Sequence, residues 1–227
     1  MRSGFPMHVG IIPDGNRRYA RKQGLSKADA YTAAATKALE AADWALSIGI
    51  GHLSAFGVSQ ENIALRPGDE VSVLHAALLH FCAEVRRLPG VALHLFGDAG
   101  ALPPGVPGRE ALIRMQQAEP PADARLVVHV GVNYSGHAEV SALLSAVRAN
   151  GLPAVWQRPH GYLLSARVPP VDLVIRTGGQ RRLSGFLPLQ TAYAELWFTD
   201  KLWPEIGPRD FADALVWYGQ QERRLGE

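Results

Sequence analysis

The residues best suited to chemistry directly follow the first apolar run of the chain. Residues 13–19 read PDGNRRY, which combines an acid, a glycine and two arginines. Backbone amides at the start of a helix point toward an anion, and guanidinium groups hold phosphate bidentately. Asp14 could hold a divalent cation, because Mg²⁺ binds one or two carboxylates together with phosphate oxygens. The same residues could equally form a capped turn with solvated arginines.

A second anion-binding pattern occupies residues 176–184, which read RTGGQRRLS. Three arginines, paired glycines and a serine favour a cradle for an oxyanion over a loop exposed for solubility. Glu195 lies in an apolar stretch, where a buried carboxylate needs a cation, a proton or a hydrogen-bond partner. Two signals are weaker: residues 59–62 (SQEN) are also ordinary turn formers, and the basic tail at 222–226 also fits a solvated end.

The elements that must position these residues alternate between short apolar runs and longer segments of helical period. Strands are predicted at residues 8–12, 52–57, 91–96, 126–132, 171–175 and 194–198. Helices are predicted at about 27–47, 69–88, 108–118, 137–150, 161–166, 184–191 and 208–224. We therefore expect a single α/β domain over residues 1–227, with a six-stranded, mostly parallel central sheet and helices on both faces. Ligands of such sheets bind beyond the carboxyl ends of the strands.

Composition excludes several classes of protein. The chain has 227 residues, a net charge of +2 and one cysteine, Cys82, which favours a reducing cytoplasm. It contains neither the roughly 20 consecutive apolar residues of a spanning helix nor a secretory signal pattern. The small net charge argues against a nucleic-acid partner. The eight histidines lack zinc-site spacing, and the G-x-S-x-G and dinucleotide fingerprints are absent. We expect a cytoplasmic protein without a membrane span.

Taken together, five ordered motifs resemble the cis-prenyltransferase family, whose best-known members are undecaprenyl diphosphate synthases. They are residues 8–20 (HVGIIPDGNRRYA), 55–67 (AFGVSQENIALRP), 131–136 (GVNYSG), 172–184 with 190–195, and 224–226 (RLG). The resemblance covers almost the whole chain. It implies a homodimer that condenses an allylic diphosphate with a second C5 isoprenoid diphosphate, with Mg²⁺ as cofactor and a hydrophobic tunnel for the hydrocarbon.

The resemblance also implies a role for individual residues. The catalytic residues would be Asp14, Asn16, Ser59 and Asn62, with Asp14 and Glu195 at the metal. The substrate-binding residues would be Gly15, Arg17, Arg18, Tyr19, Lys27, Tyr31, Ile63, Arg66, Arg176, Arg182, Ser184, Arg224 and Gly226. In the family, the last two close the second diphosphate site from the partner chain.

Departures from the family pattern are concentrated around the hydrocarbon path. Tyr31 and Lys27 stand where the family has histidine and arginine, and Ile63 replaces an aromatic residue. One extra residue precedes Arg66, and residues 135–139 and 186–190 also differ. Because the motifs that would bind the diphosphates are kept, we predict an active enzyme with a short product. That product could be irregular, branched or cyclised, as in enzymes resembling lavandulyl or cyclolavandulyl diphosphate synthases.

Helix 69–88 bears on the length of the product. Its His75, His80 and Phe81 could narrow the tunnel. Bulky side chains on a helix could equally pack in the hydrophobic core and have no effect on the tunnel. Two alternatives remain. The first is a regular undecaprenyl-type synthase for a lipid carrier, which would release a long product at a membrane surface. The second is a non-catalytic partner subunit, against which the retention of Asp14, the glycine loop and residues 224–226 argues.

Overall fold

Six strands form one sheet in the computed structural model, which describes residues 5–222. They are β1 (His8–Ile12), β2 (His52–Ser59), β3 (Val91–Gly97), β4 (Leu126–Tyr134), β5 (Leu173–Arg176) and β6 (Glu195–Phe198). The strand order is β3-β4-β2-β1-β5-β6, and every neighbouring pair is parallel. The predicted α/β fold is confirmed, and the sheet is parallel throughout.

Eight α-helices connect the described strands or follow them. They are α1 (Asn16–Gln23), α2 (Lys27–Ile48), α3 (Gln60–Leu65), α4 (Gly68–Val85), α5 (Arg109–Gln117), α6 (Gly136–Asn150), α7 (Leu152–Gln157) and α8 (Pro208–Gly219). Serine caps fix where two of them begin, because Ser26 Oγ accepts from Asp29 N–H and Ser135 Oγ accepts from Ala138 N–H. Among the helices of residues 5–222, none has both the length and the apolar character needed to cross a bilayer.

Two of the predicted helices are wrong. Residues 161 and 162 end a short 3-10 helix, Pro159–Tyr162, and residues 163–166 continue as a bend and turns. Residues 184–191 form turns because Ser184 and Leu187 adopt left-handed backbone angles, with φ of 52° and 46°, and Pro188 has no N–H to donate. The prediction also gave no bounds for α1, α3 and α7, which are too short to show a clear apolar period.

The two faces of the sheet carry separate apolar layers. On one face, strand residues such as Val9, Leu53 and Val130 pack with helices α2, α4 and α8. On the other face, Ile12 and Val174 pack with Phe186 and Leu187 from the turns after β5.

An apolar cavity of about 110 Å³ lies on the first face, between α2, α4 and the sheet. The small alanine side chains of α2 leave room for this cavity, and α4 contributes bulkier side chains to its wall. The residues of these two helices that line it are Tyr31, Ala34, Ala35, Ala38, Ala41, Leu74, Ala77, Leu78 and Phe81. Helix α4, which was expected to form a hydrophobic tunnel, thus lines an apolar cavity.

Four histidines meet on the second face, near the amino ends of the strands. This histidine row consists of His8, His52, His94 and His129. His8 Nδ1 lies 3.0 Å from the Pro169 carbonyl oxygen, which can only accept, so His8 Nε2 accepts from the Ser54 hydroxyl at 2.7 Å. His129 lies between the others, with its ring nitrogens 3.0 Å from His52 and 2.8 Å from His94.

Burial keeps the histidine row uncharged. It lowers the pKa of His8 and His94 to about 4 and that of His129 to about 2, and it lowers the pKa of His52 as well. Within residues 5–222, no group of three or more histidine, cysteine, aspartate or glutamate residues could hold a metal ion.

Candidate active site

The two anion-binding patterns of the sequence lie side by side at the carboxyl edge of the sheet. Asp14 follows β1, and its backbone N–H donates to Thr177 Oγ1 at 2.9 Å, while the same hydroxyl donates to the Asp14 carbonyl at 2.8 Å. Gly178 has a φ of 80°, and a Cβ there would lie 2.5 Å from Arg18 Nη2 and 3.0 Å from the Asp14 carbonyl oxygen. Only glycine therefore allows the two loops to approach this closely.

Asp14 and Arg176 form the centre of the site. Arg176 Nη2 donates to Asp14 Oδ2 at 3.0 Å, and Arg18 Nη2 donates to Asp14 Oδ1 at 3.3 Å. The Arg176 side chain is 4% exposed, whereas that of Asp14 is 33% exposed. Arg176 Nη1 also donates to Ser184 Oγ at 2.9 Å and to the Arg182 carbonyl. These contacts fix the guanidinium and leave one side of the carboxylate open to solvent.

A polar cavity of about 910 Å³ opens in front of this pair. Six arginines line it together with two carboxylates, Asp14 and Glu61; the arginines are Arg17, Arg18, Arg21, Arg66, Arg176 and Arg182. The excess of guanidinium groups makes this cavity electropositive. Because each guanidinium presents a planar fork of donors, the cavity suits a ligand with several phosphate oxygens.

Asn16 lies where the polar cavity meets the apolar cavity, since it lines both. Its Nδ2 donates to the Pro13 carbonyl at 3.3 Å, while its Oδ1 is buried and has no partner within residues 5–222. Arg176 Nε is likewise buried without a partner in that range. Unpaired buried polar atoms are rare in folded proteins, so these two are available to a bound ligand.

Ser59 and Asn62 also face the polar cavity. Ser59 caps α3, because its Oγ accepts from the Asn62 N–H at 3.2 Å. The ordinary turn-forming interpretation of this segment is thus correct for the backbone, and the Ser59 hydroxyl retains its own proton to donate.

A buried carboxylate, Glu70, organises the other side of the cavity. Its Oε1 accepts from the Tyr31 hydroxyl at 2.8 Å and from Arg66 Nη1 at 3.2 Å, and Lys27 Nζ lies 2.9 Å from its Oε2. Burial opposes the charge on Glu70, yet the hydrogen bonds from Lys27 and Tyr31 and the nearby Arg66 hold its pKa below the usual value. Burial also raises the pKa of Tyr31 to about 12, so its hydroxyl is a donor at neutral pH.

Sequence reasoning missed two residues of this site. Glu70 could have been found from its spacing, because it lies four residues after Arg66 on a predicted helix. Thr177 lies within the anion-binding pattern at 176–184 but was assigned no role; it directly follows β5, at the edge where ligands bind.

Not every predicted site residue reaches the cavity. Tyr19 and Lys27 do not line it, and Ile63 packs against the core instead. On β6, Glu195 pairs with Leu173 at the start of β5. Arg176 lies three residues further along β5, which is a distance of roughly 10 Å. It therefore does not lie beside Asp14 within one chain. Arg224 and Gly226 lie outside the described residues.

Of the three bulky side chains on α4 that were expected to narrow the tunnel, one lines the apolar cavity. Phe81 lines the apolar cavity. His75 and His80 do not: His75 is buried with its Nδ1–H directed at the Val71 carbonyl at 2.8 Å, and His80 is exposed.

Comparison with known proteins agrees with this geometry. The family model of undecaprenyl diphosphate synthase matches residues 12–226. An isoprenyl transferase of Thermotoga maritima is 34% identical over 98% of this chain and 97% of its own length. A ditrans,polycis-undecaprenyl-diphosphate synthase, specific for (2E,6E)-farnesyl diphosphate, of Xanthomonas axonopodis pv. citri is 35% identical over 100% of this chain and 90% of its own length.

Solved structures show the same fold. Lavandulyl diphosphate synthase from Lavandula x intermedia, in complex with dimethylallyl diphosphate, superposes with a TM-score of 0.80 at 25% identity, covering 98% of this chain and 99% of that one. The matched family model, the full-length relatives and this superposition lead to one conclusion. The chain belongs to the undecaprenyl diphosphate synthase, or cis-prenyltransferase, family and is a prenyltransferase.

Proposed function

We propose that the chain is a Mg²⁺-dependent prenyl diphosphate synthase that joins dimethylallyl diphosphate, or a similar allylic diphosphate, to a second C5 isoprenoid diphosphate and releases a short product. One observation carries this proposal: the arginine-lined polar cavity adjoins an apolar cavity of only about 110 Å³. A cavity of about 150 Å³ holds one benzene molecule, so the apolar cavity accommodates about one C5 unit. With one or two further C5 units beside the diphosphates in the polar cavity, that comparison gives a product of about ten to fifteen carbons.

The residues of the site suit the departure of an allylic diphosphate. The carbon–oxygen bond breaks with its electrons on the diphosphate, and the guanidinium of Arg18 and the amides after Gly15 stabilise that charge. Tyr19 and Arg17 flank this loop. Arg176, Arg182 and Ser184 hold the second diphosphate. Arg224 and Gly226 are proposed to bind the same diphosphate.

The donor set fits Mg²⁺. Asp14 offers a hard carboxylate that is a third exposed at the cavity, and magnesium typically takes one or two protein carboxylates together with phosphate oxygens. When bound, the metal neutralises charge on the leaving diphosphate. Asp14 would hold it, and Glu195 is proposed to assist at the metal in the assembled enzyme. Glu195→Gln tests that role separately from Asp14.

Carbon–carbon bond formation is followed by loss of a proton from the acceptor. The acceptor's double bond supplies the electron pair of the new bond, and the departing diphosphate, held in the polar cavity, accepts the proton. Ser59 and Asn62 line that cavity, and we assign them the support of proton removal through hydrogen bonds, with the unpaired Asn16 Oδ1 as a further hydrogen-bond acceptor.

We further propose a homodimer that acts in the cytoplasm. Helices α6 and α7 expose large apolar side chains, with Val140 56%, Leu144 65% and Trp156 79% exposed. Such side chains are typical of a surface that a second copy covers. Sedimentation tests this proposal: we expect a dimer that Leu144→Glu dissociates. A monomer at micromolar concentration with full activity would contradict it.

A second candidate is the regular long-chain synthase. It is favoured by relatives named undecaprenyl-diphosphate synthases, such as that of Xanthomonas axonopodis pv. citri at 35% identity. The irregular coupling of two dimethylallyl-type units is favoured instead by the fold similarity to lavandulyl diphosphate synthase.

Product analysis by mass spectrometry separates these candidates. Purified protein and Mg²⁺ are incubated with dimethylallyl diphosphate alone, with added isopentenyl diphosphate, and with longer allylic primers. Short products support the proposal, and turnover of dimethylallyl diphosphate alone assigns irregular coupling. Long chains from farnesyl-type primers would replace it with the lipid-carrier function. No product from folded protein with any pair would point to a non-catalytic partner subunit.

A further inference from the structure

Tyr31 lies at the junction of the two cavities. Six residues line both of them: Pro13, Asn16, Tyr31, Phe56, Gly57 and Leu74. Tyr31 is 4% exposed and belongs to α2, so its ring is packed inside the protein and not at the rim. A hydrocarbon whose diphosphate lies in the polar cavity must pass this ring to enter the apolar cavity.

The Tyr31 ring is held at its hydroxyl end by two charged partners. The hydroxyl donates to Glu70 Oε1 at 2.8 Å and accepts from Arg66 Nη1 at 2.7 Å. The Arg66 guanidinium also lies 6.0 Å from the centroid of the ring. Hydrogen bonds to ionised partners are stronger than neutral ones, so displacing the ring requires several favourable contacts to break together.

The same contacts join three elements. Tyr31 and Lys27 come from α2, Arg66 follows α3, and Glu70 belongs to the first turn of α4. Because Glu70 bonds to all three of the other side chains, α2 and α4 are fixed relative to each other at the mouth of the apolar cavity. Those two helices supply nine of the twenty residues that line that cavity. Their separation there limits what can enter.

We propose that Tyr31, held in place by Glu70 and Arg66, is a specificity-determining residue that limits the length of the hydrocarbon this enzyme accepts and makes. This inference rests on the proposed prenyl diphosphate synthase function and assigns its length control to one ring. Glu70 acts through Tyr31 and is a positioning residue. The opening of the apolar cavity is therefore set by a hydrogen-bonded group and not by apolar packing alone.

The first test compares product lengths. Tyr31→Ala removes the ring, and we expect its products to shift upward by about one C5 unit or more relative to the wild type, whatever its rate. Tyr31→Phe keeps the ring without its anchor and should give a broader distribution that starts at the wild-type length. Tyr162→Ala is the matched control, since Tyr162 lines neither cavity and should leave product length unchanged. A folded, active Tyr31→Ala with wild-type product lengths would overturn the inference.

The second test needs no turnover and covers a failure of Tyr31→Ala to fold. Dissociation constants of allylic diphosphates with five, ten, fifteen and twenty carbons are measured by calorimetry for the wild type, Tyr31→Leu and Glu70→Gln. In the wild type we expect the dissociation constant to rise as the hydrocarbon chain lengthens. In both variants we expect the ratio of the dissociation constants for long and short chains to be about tenfold smaller than in the wild type. An unchanged length preference in both variants would contradict the inference. Long products already made by the wild type would contradict the proposed function instead.

Discussion

Acid should destabilise the protein through the histidine row well before its carboxylates titrate. In an unfolded chain a histidine has a pKa near 6.5, whereas burial lowers the pKa of His8 and His94 to about 4 and that of His129 to about 2. Below pH 6.5 the unfolded chain therefore binds protons that the folded chain does not. Stability must fall as the pH falls through that window, down to about pH 4.

The magnitude follows from linkage. Between pH 7.5 and 5.5, each such histidine lowers the free energy of unfolding by about 1.4 kcal/mol, and the three together by about 4 kcal/mol. His8, His94 and His129 are at most 5% exposed, so solvent screens little of this effect. For a chain of this size, 1 kcal/mol corresponds to about 2–4 °C, which predicts a drop of about 10 °C in the melting temperature.

Urea unfolding at pH 7.5, 6.5 and 5.5 and constant ionic strength measures this dependence. His129→Gln should be less stable at pH 7.5, but its loss of stability on acidification should be smaller by about 1.4 kcal/mol. His80→Gln is the matched control for losing an imidazole outside the row, at an exposed position of α4. A change of less than about 1 kcal/mol in the wild type between pH 7.5 and 5.5 would refute the reasoning.

Three further predictions concern single side chains. Asp14→Asn should lower turnover by about 100-fold or more. Because the carboxylate is a third exposed, urea unfolding should show a loss of only about 1–2 kcal/mol in stability. Activity within tenfold of the wild type would contradict the assigned function of Asp14. Arg176→Lys should lower turnover by about 10- to 100-fold, since lysine cannot bridge Asp14 and Ser184 as the guanidinium does. Arg209→Lys, at an exposed position on α8, is the matched control in the same steady-state assay. Cys82 is fully buried, and burial raises the pKa of its thiol to about 12. It should resist thiol reagents in the folded protein and titrate as one thiol per chain in denaturant.

Much of the fold was predictable because its strands are continuous apolar runs. All six strand positions, the parallel sheet and the long helices α2 and α4 follow from period and length. The errors lie where backbone conformation overrides composition. Residues 184–191 look helical by their apolar content, yet left-handed angles at Ser184 and Leu187 make them turns. Such angles carry no periodic signal.

The site was predictable where charge and glycine occur together. Asp14, Arg18 and Arg176 were expected from two loops that are far apart in sequence, and the structure joins them directly. Glu70 was missed because a single acid on a helix usually faces solvent. Its spacing from Arg66 is the one local signal, whereas its contacts with Lys27 and Tyr31 are long-range.

The histidine row was hidden for a similar reason. Its members come from four strands, and only the strand order brings them to one face. Each histidine alone has the appearance of an ordinary strand residue. Register, and not sequence spacing, decides which of them share hydrogen bonds.

The chain length of the product is the most direct test of the proposed short-chain synthase function. With Mg²⁺, excess isopentenyl diphosphate and a C5 or C15 allylic primer, mass spectrometry reads every prenyl diphosphate that forms. The small apolar cavity behind Tyr31 predicts that extension stops after about one or two condensations from the C5 primer, and that the C15 primer is used poorly. A ladder of long polyprenyl diphosphates grown from the C15 primer would contradict the account.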